Sequence, residues 1–316
     1  MSSVFKNIFL VIEMYDKYCM VHAWTISHKQ VAKKEKKKFF YDKKNKTPDV
    51  LLNFVYEYTK KYTQHYLAVI LNSSHQKTLL EDSASKKFLQ TLKESNVSIP
   101  VHPKWRIYAP IRDVEKIQKE LQPLDVDFVV SPMAILHHLC TQSNKDDNHV
   151  YILALSYVVS IAIFRDSVAV ASVTLSLLTD EANSKENFDF THPDDVMEDE
   201  FELDSDIQKS DLDLEDESFE LESEDNIKIK EEVSDDLSDG VTSELVKNIQ
   251  YVIEQFYSSP YYNDDNDLIG SIVIFNQDIL TAQLRAQLRD EMMLEIFHKE
   301  VNVVQAVTTI MTEDFL

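Results

Sequence analysis

Apolar residues recur along the chain with two periods, and the switches between them mark out its elements. Segments 7–15 (NIFLVIEMY) and 19–27 (CMVHAWTIS) are short runs rich in Ile, Val and aromatic residues, which predicts paired strands turning at Asp16-Lys17. Segment 39–48 (FFYDKKNKTP) continues into a third strand and a loop, and Pro48 opens a helix over 49–63. Segment 65–72 (HYLAVILN) reads as a buried strand, 83–94 as a helix and 104–109 as a short strand. Pro110 starts a helix over 111–124, where its missing N–H does no harm. Segment 126–131 (VDFVVS) forms a strand, and Pro132 opens the short helix 133–140.

After a polar break at 141–148 the pattern begins again. Residues 150–164 (VYILALSYVVSIAIF) carry no charge, but a spanning helix needs about 20 apolar residues. The run resumes beyond Arg165-Asp166 as SVAVASVTLSLL. Buried antiparallel strands turning at Arg165-Asp166 are therefore predicted, and no direct membrane span. Leu245, Ile249, Val252, Ile253 and Phe256 recur at helical spacing, which predicts a helix from Thr242 to Ser258. A strand at 271–276 (SIVIFN), a helix over 278–297 and a last strand at 301–305 (VNVVQ) complete the series. Strands and helices alternate in both series, the α/β pattern, and each opens with a hairpin.

Charge separates a third region from these two. Of the net −23, residues 181–239 carry −21, from 25 acidic and four basic side chains. Acids there alternate with isolated Phe, Leu and Ile, a density that opposes burial and predicts a disordered acidic insertion. Such a ribbon acts as a solubilising linker, docks a partner through its spaced apolar residues, or folds back onto the basic stretch Lys29–Lys46. That stretch holds nine lysines against Glu35 and Asp42 and reads as an exposed loop, with an anionic membrane surface as its functional alternative. The rest of the chain is nearly neutral, so no nucleic-acid partner is expected.

Composition restricts the chemistry. The chain has two glycines, Gly240 and Gly270, where average usage would give about 22. Loops that wrap phosphates turn backbone N–H groups inward, a geometry glycine adopts without strain, and neither GxGxxG nor GxxxxGK[ST] occurs. Cys19 and Cys140 lie far apart, which predicts buried thiols in a reducing compartment. The opening MSSVFKNIFLVIEM lacks a signal-peptide cleavage pattern. His137 and His138 are adjacent on one predicted helix and face different ways, no DxDxDG calcium loop or GxSxG elbow is present, and no metal site is expected. Tyr261-Tyr262 form an aromatic pair in a loop, open to packing or a partner.

In order and spacing of segments the chain resembles the actin/Hsp70 superfold, and within it the PilM and GspL type, cytoplasmic actin-like components of type IV pilus and type II secretion platforms. Segment 10–24 has the family's first phosphate hairpin, with Glu13 for its Asp and Tyr15 and Asp16 in the turn. Segment 124–136 resembles the strand and helix before the second lobe. Segment 151–166 resembles the second phosphate hairpin, with Ala154 in place of the acid and Ser156 in place of the glycine. Segments 243–259 and 271–276 resemble the long helix and the strand before the adenosine turn, which here holds Phe275, Asn276 and Gln277.

The resemblance implies a two-lobed, duplicated ribonuclease H-like α/β fold: a first lobe over 1–142, a second over 143–180 and 240–316, and the insertion over 181–239. It also implies degenerate phosphate and adenosine turns at Glu13, Tyr15, Asp16, Ala154, Ser156 and Asn276, with no cofactor, no catalytic residue and no enzymatic activity. The role implied is a scaffold peripheral on the cytoplasmic face of a bacterial inner membrane. It would hold the N-terminal tail of a PilN-like bitopic partner and join a ring or cage of a pilus, secretion, DNA-uptake or flagellar machine. A soluble adaptor working through the acidic ribbon and a regulated actin-like ATP binder are the alternatives.

Overall fold

In β1 (Lys6–Met14) the residues Ile8, Leu10 and Ile12 and the alternate residues Phe9 and Val11 are all buried, so this strand faces a core on both sides. That requirement organises the whole body. The computed structural model describes residues 6–15, 17–27, 30–41, 48–62, 64–81, 95–142, 149–155, 158–176, 239–262, 268–275 and 282–315. β1 pairs antiparallel with β2 (Tyr18–Ser27), and β2 with β3 (Gln30–Phe40). On its other side β1 runs parallel to β4 (Gln64–Ile70), and β4 to β8 (Phe128–Val130). The sheet order is β3-β2-β1-β4-β8.

The second half repeats that order as β11-β10-β9-β12-β13. Its strands are β9 (His149–Ala154), β10 (Val158–Arg165), β11 (Val168–Ser176), β12 (Ser271–Phe275) and β13 (Glu295–Lys299). Helix α1 (Asp49–Lys61) crosses between β3 and β4, as α4 (Asp239–Tyr257) does between β11 and β12. Each crossover covers one face of its sheet. Leu51, Phe54 and Val55 meet Leu10, Val21 and Val69 in one cluster, and Leu245, Ile249, Val252 and Phe256 meet Ile152, Ile161 and Ile274 in another.

The remaining faces share a third core. It joins Phe9, Val11 and Trp24 of the first sheet to Tyr151, Leu153, Phe164 and Phe275 of the second. Two helices lie in it: α3 (Pro132–Gln142) packs on β9 and β10, and α6 (Val303–Phe315) packs on β1 and on α3. Each half thus lends its terminal helix to the common core. Helices α2 (Ile111–Glu120) and α5 (Ala282–Met292) and a small sheet of β5 (Lys77–Leu80), β7 (Trp105–Pro110) and β6 (Asn96–His102) complete the described elements.

The basic stretch is corrected from loop to strand over its first part. β3 carries five of the lysines, and as the outer strand of its sheet it keeps them in solvent without leaving the ladder. The helix expected over 278–297 ends at Met292, because Met293 takes a left-handed φ of 52°. Residues 295–299 are the last strand, and the expected strand 301–305 is instead the start of α6. β5 and β6 were not expected: the first has four residues, and Pro100 interrupts the second at a register shift. The helix expected at 83–94, and the acidic insertion up to residue 238, lie outside the described residues.

Candidate functional site

The tips of the two leading hairpins lie on one side of the shared core, and they close in the same way. The Tyr15 N–H donates to the Tyr18 carbonyl at 2.8 Å, and the Leu155 N–H to the Val158 carbonyl at 2.9 Å. Those two amides are therefore taken up in closing the turns. Between the tips lies a half-open pocket of about 320 Å³, a volume that includes open solvent. Met14, Ile70, Leu71, Leu155 and Val158 line it, with Glu13, Tyr15 and Asn72 as its polar members.

Two of the residues singled out from sequence, Glu13 and Tyr15, line this pocket. Tyr15 stacks on Tyr18 at 4.3 Å between ring centres, and its hydroxyl donates to the Glu13 carboxylate at 2.7 Å. A second Glu13 oxygen lies 3.3 Å from His22 Nε2. Burial by itself would raise the Glu13 carboxyl, but the pairing with His22, the Tyr15 hydroxyl and the charge of Lys36 outweigh it and hold it below the ordinary value. The pocket thus keeps a fixed negative charge among apolar walls.

Ala154 closes β9 opposite Val159, fully buried in the cluster under α4. Its side chain faces that cluster and does not line the pocket. Asp16, Ser156 and Asn276 lie outside the described residues, although β12 ends at Phe275 beside Leu153. Sequence reasoning missed Ile70, Leu71 and Asn72, which β4 brings to the pocket by its parallel register with β1. It also missed His22, whose place opposite Val11 follows from the antiparallel register.

The two histidines of α3 have separate partners. His137 Nε2 donates to the Ser167 carbonyl at 3.1 Å, and the Trp105 indole donates to the same oxygen at 2.9 Å. Burial pushes His137 down to about 4, against the opposing effect of that hydrogen bond. His138 meets Gln142 one turn on. Among the described residues no group of three His, Cys, Asp or Glu side chains could hold a metal ion. Burial pushes the Cys19 thiol up to about 12 and also raises that of Cys140, which makes both poor nucleophiles. Among the described residues no helix is long and apolar enough to cross a membrane.

Two mixed sheets of identical order, each led by a hairpin and meeting over one core, define an actin-like α/β fold. The chain belongs to the family of the domain of unknown function DUF8341, whose model matches residues 150–316, and a second domain of unknown function, DUF8569, matches residues 5–137. Among solved structures it is similar to the PilM–PilN type IV pilus biogenesis complex, at 12% identity over 94% of this chain and 89% of the other, with a TM-score of 0.50. It is also similar to a Bacteroides thetaiotaomicron protein with actin-like ATPase fold and unknown function, at 10% identity over 96% and 95% of the two chains, with a TM-score of 0.47. Among curated proteins none matches this chain.

Proposed function

We propose that this chain is a non-catalytic, PilM-like scaffold, peripheral on the cytoplasmic face of a bacterial inner membrane. In this reading its folded body holds the N-terminal tail of a PilN-like bitopic partner. It joins neighbouring copies in a ring or cage of a pilus, secretion, DNA-uptake or flagellar machine. The observation that carries the reading is the pocket between the hairpin tips. Met14, Ile70, Leu71, Leu155 and Val158 occupy the lining, and Glu13 supplies a negative charge. A triphosphate needs inward N–H groups and cations there; an apolar lining suits a fold retained for its surfaces. The likeness in fold to PilM, over most of both chains, supports the choice of scaffold.

Titration calorimetry with ATP and Mg²⁺ tests the non-catalytic half of the proposal. The expected result is no saturable heat up to about millimolar ligand, the regime of a Kd weaker than about −4 kcal/mol of binding free energy. Micromolar binding would restore the regulated ATP binder. Affinity capture from solubilised membranes tests the other half: a bitopic protein with a short cytoplasmic tail should co-purify, and deleting that tail should abolish capture. Capture that survives the deletion rules out tail binding.

A further inference from the structure

Among the described residues the outer strands of the two large sheets are β3, β8, β11 and β13. Three of them are guarded against further pairing. β3 carries five lysines, β8 has three residues, and β5 packs on β11, where the hydroxyls of Thr78 and Ser172 bond. β13 differs: Phe297 at its centre is 46% exposed, and Met293 just before it is 90% exposed. The Glu295 N–H donates to the Gly270 carbonyl at 3.4 Å. Alternate residues of a strand in a parallel ladder bond the same neighbour, so Glu295, Phe297 and Lys299 turn their N–H and C=O groups to β12. Ile296 and His298 turn theirs to the open edge. By side chain, Ile296 packs against the cluster that holds Leu288 of α5. Glu295, Phe297 and Lys299 lie on the other face, all three exposed, and Phe297 meets the His149 ring edge-on there.

That face reads as an acid, an aromatic ring and a base at alternate positions, an order that is its own complement. A second copy turned about a two-fold axis at Phe297 sets its lysine opposite Glu295, its glutamate opposite Lys299 and its phenylalanine opposite Phe297. The backbone agrees with the same centre. Ile296 then faces His298 of the second copy, and these are the residues whose N–H and C=O groups are turned outward, so each exchanges both bonds with the other. Glu295, Phe297 and Lys299 fall at the positions without hydrogen bonds, where opposed side chains approach most closely. Centring the pair on Ile296 or on His298 sets neither charge against its opposite. We propose that β13 is the contact of a symmetric dimer, in which two copies of this chain pair antiparallel about Phe297 and join their second sheets into one. A two-fold contact closes on two copies, so it is separate from the ring contact of the scaffold reading and does not rest on it. A five-residue strand buries less than about 1,200 Å², which sets the expected Kd on the order of 10 µM.

Sedimentation of the full chain over a concentration series should show a monomer–dimer equilibrium at about 0.15 M salt, where repulsion between the two acidic chains is screened beyond about 8 Å. Carbodiimide should then join the Glu295 carboxylate to Lys299 of the second copy. Within one strand those residues are about 13 Å apart, too far for a link inside a chain, so the cross-linked peptide itself reports the pairing. Glu295→Lys and Lys299→Glu, each alone, set like charges against each other and should weaken self-association by more than about tenfold, with circular dichroism unchanged. Mixed in equal amounts, the two variants are complementary again and the dimer should return. The chain carrying both substitutions should associate as the unaltered chain does, which separates a lost contact from a lost fold. A chain that stays monomeric up to about 1 mM, a free energy weaker than about −4 kcal/mol, overturns the proposal. So does a dimer that persists in both single variants, one that mixing the folded variants fails to restore, or one without the link between Glu295 and Lys299.

Discussion

Ser167 is the residue on which the most demands converge. It and Asp166 form the two-residue turn between β10 and β11, at φ 63° and 48°, the left-handed pair that a tight hairpin turn requires. Its carbonyl accepts from both Trp105 and His137, while its side chain has no part in those bonds. The left-handed region costs an ordinary residue about 1–2 kcal/mol, and glycine gives back about 0.5–1 kcal/mol through its looser unfolded state. Ser167→Gly should therefore raise stability by about 0.5 kcal/mol in urea melts, with Trp105 fluorescence unchanged. His137 makes a separate prediction. Its folded value of about 4 lies below the ordinary value of 6.5, so between those pH values the unfolded chain binds a proton that the folded one refuses. Stability is complete above about pH 6.5 and falls as pH drops through the window, by at most about 3 kcal/mol. His137→Gln should flatten that part of the profile; an unchanged slope between pH 6.5 and 4 would place the titration elsewhere.

At the scale of elements, α6 is where composition and structure part. Val303, Val304, Val307 and Thr308 are β-branched and buried, and by propensity they favour a strand. The helix wins because those positions recur at helical spacing on the shared core, and because Asn302 Oδ1 accepts the Gln305 N–H at 3.0 Å. That is an N-cap, visible in the sequence as Asn302-Val-Val-Gln305, a capping-box spacing. Asn302→Ala should cost about 1 kcal/mol, whereas in a strand the same change at an exposed position would cost almost nothing; thermal melts separate the two. The long apolar runs (β1, β2 and the β9–β11 run) and the periodic helices α1 and α4 were legible because the cores bury whole strands and one stripe of each crossover helix. The end of α5 was not, because Met293 does the work of a C-terminal glycine, its N–H bonding the Arg289 carbonyl at 3.1 Å. Two of the eight pocket residues were legible for a related reason. Glu13 and Tyr15 follow from a hairpin readable locally, but Ile70 and Asn72 arrive by parallel pairing across more than fifty residues, which no local pattern records.

For the molecule as a whole, the decisive feature is that neither sheet owns its second face. Trp24 and Trp105, the two tryptophans of the chain, both lie in the first half by sequence yet pack in the core shared with Tyr151, Phe164 and Phe275. Phe164 rests against the Trp105 ring at 6.2 Å and against Tyr151 at 6.1 Å. Were the halves independent, each would have to expose one apolar sheet face on separating, an area no stable domain leaves in water. Phe164→Ala, a change in the second half, should therefore cost about 3–5 kcal/mol and lower the melting midpoint seen by tryptophan fluorescence as far as that seen by far-ultraviolet circular dichroism. If fluorescence held its wild-type midpoint while the circular dichroism transition split, the halves would be separate folding units. Coincident shifts are the expectation, since the side chains that report on one sheet are buried by the other.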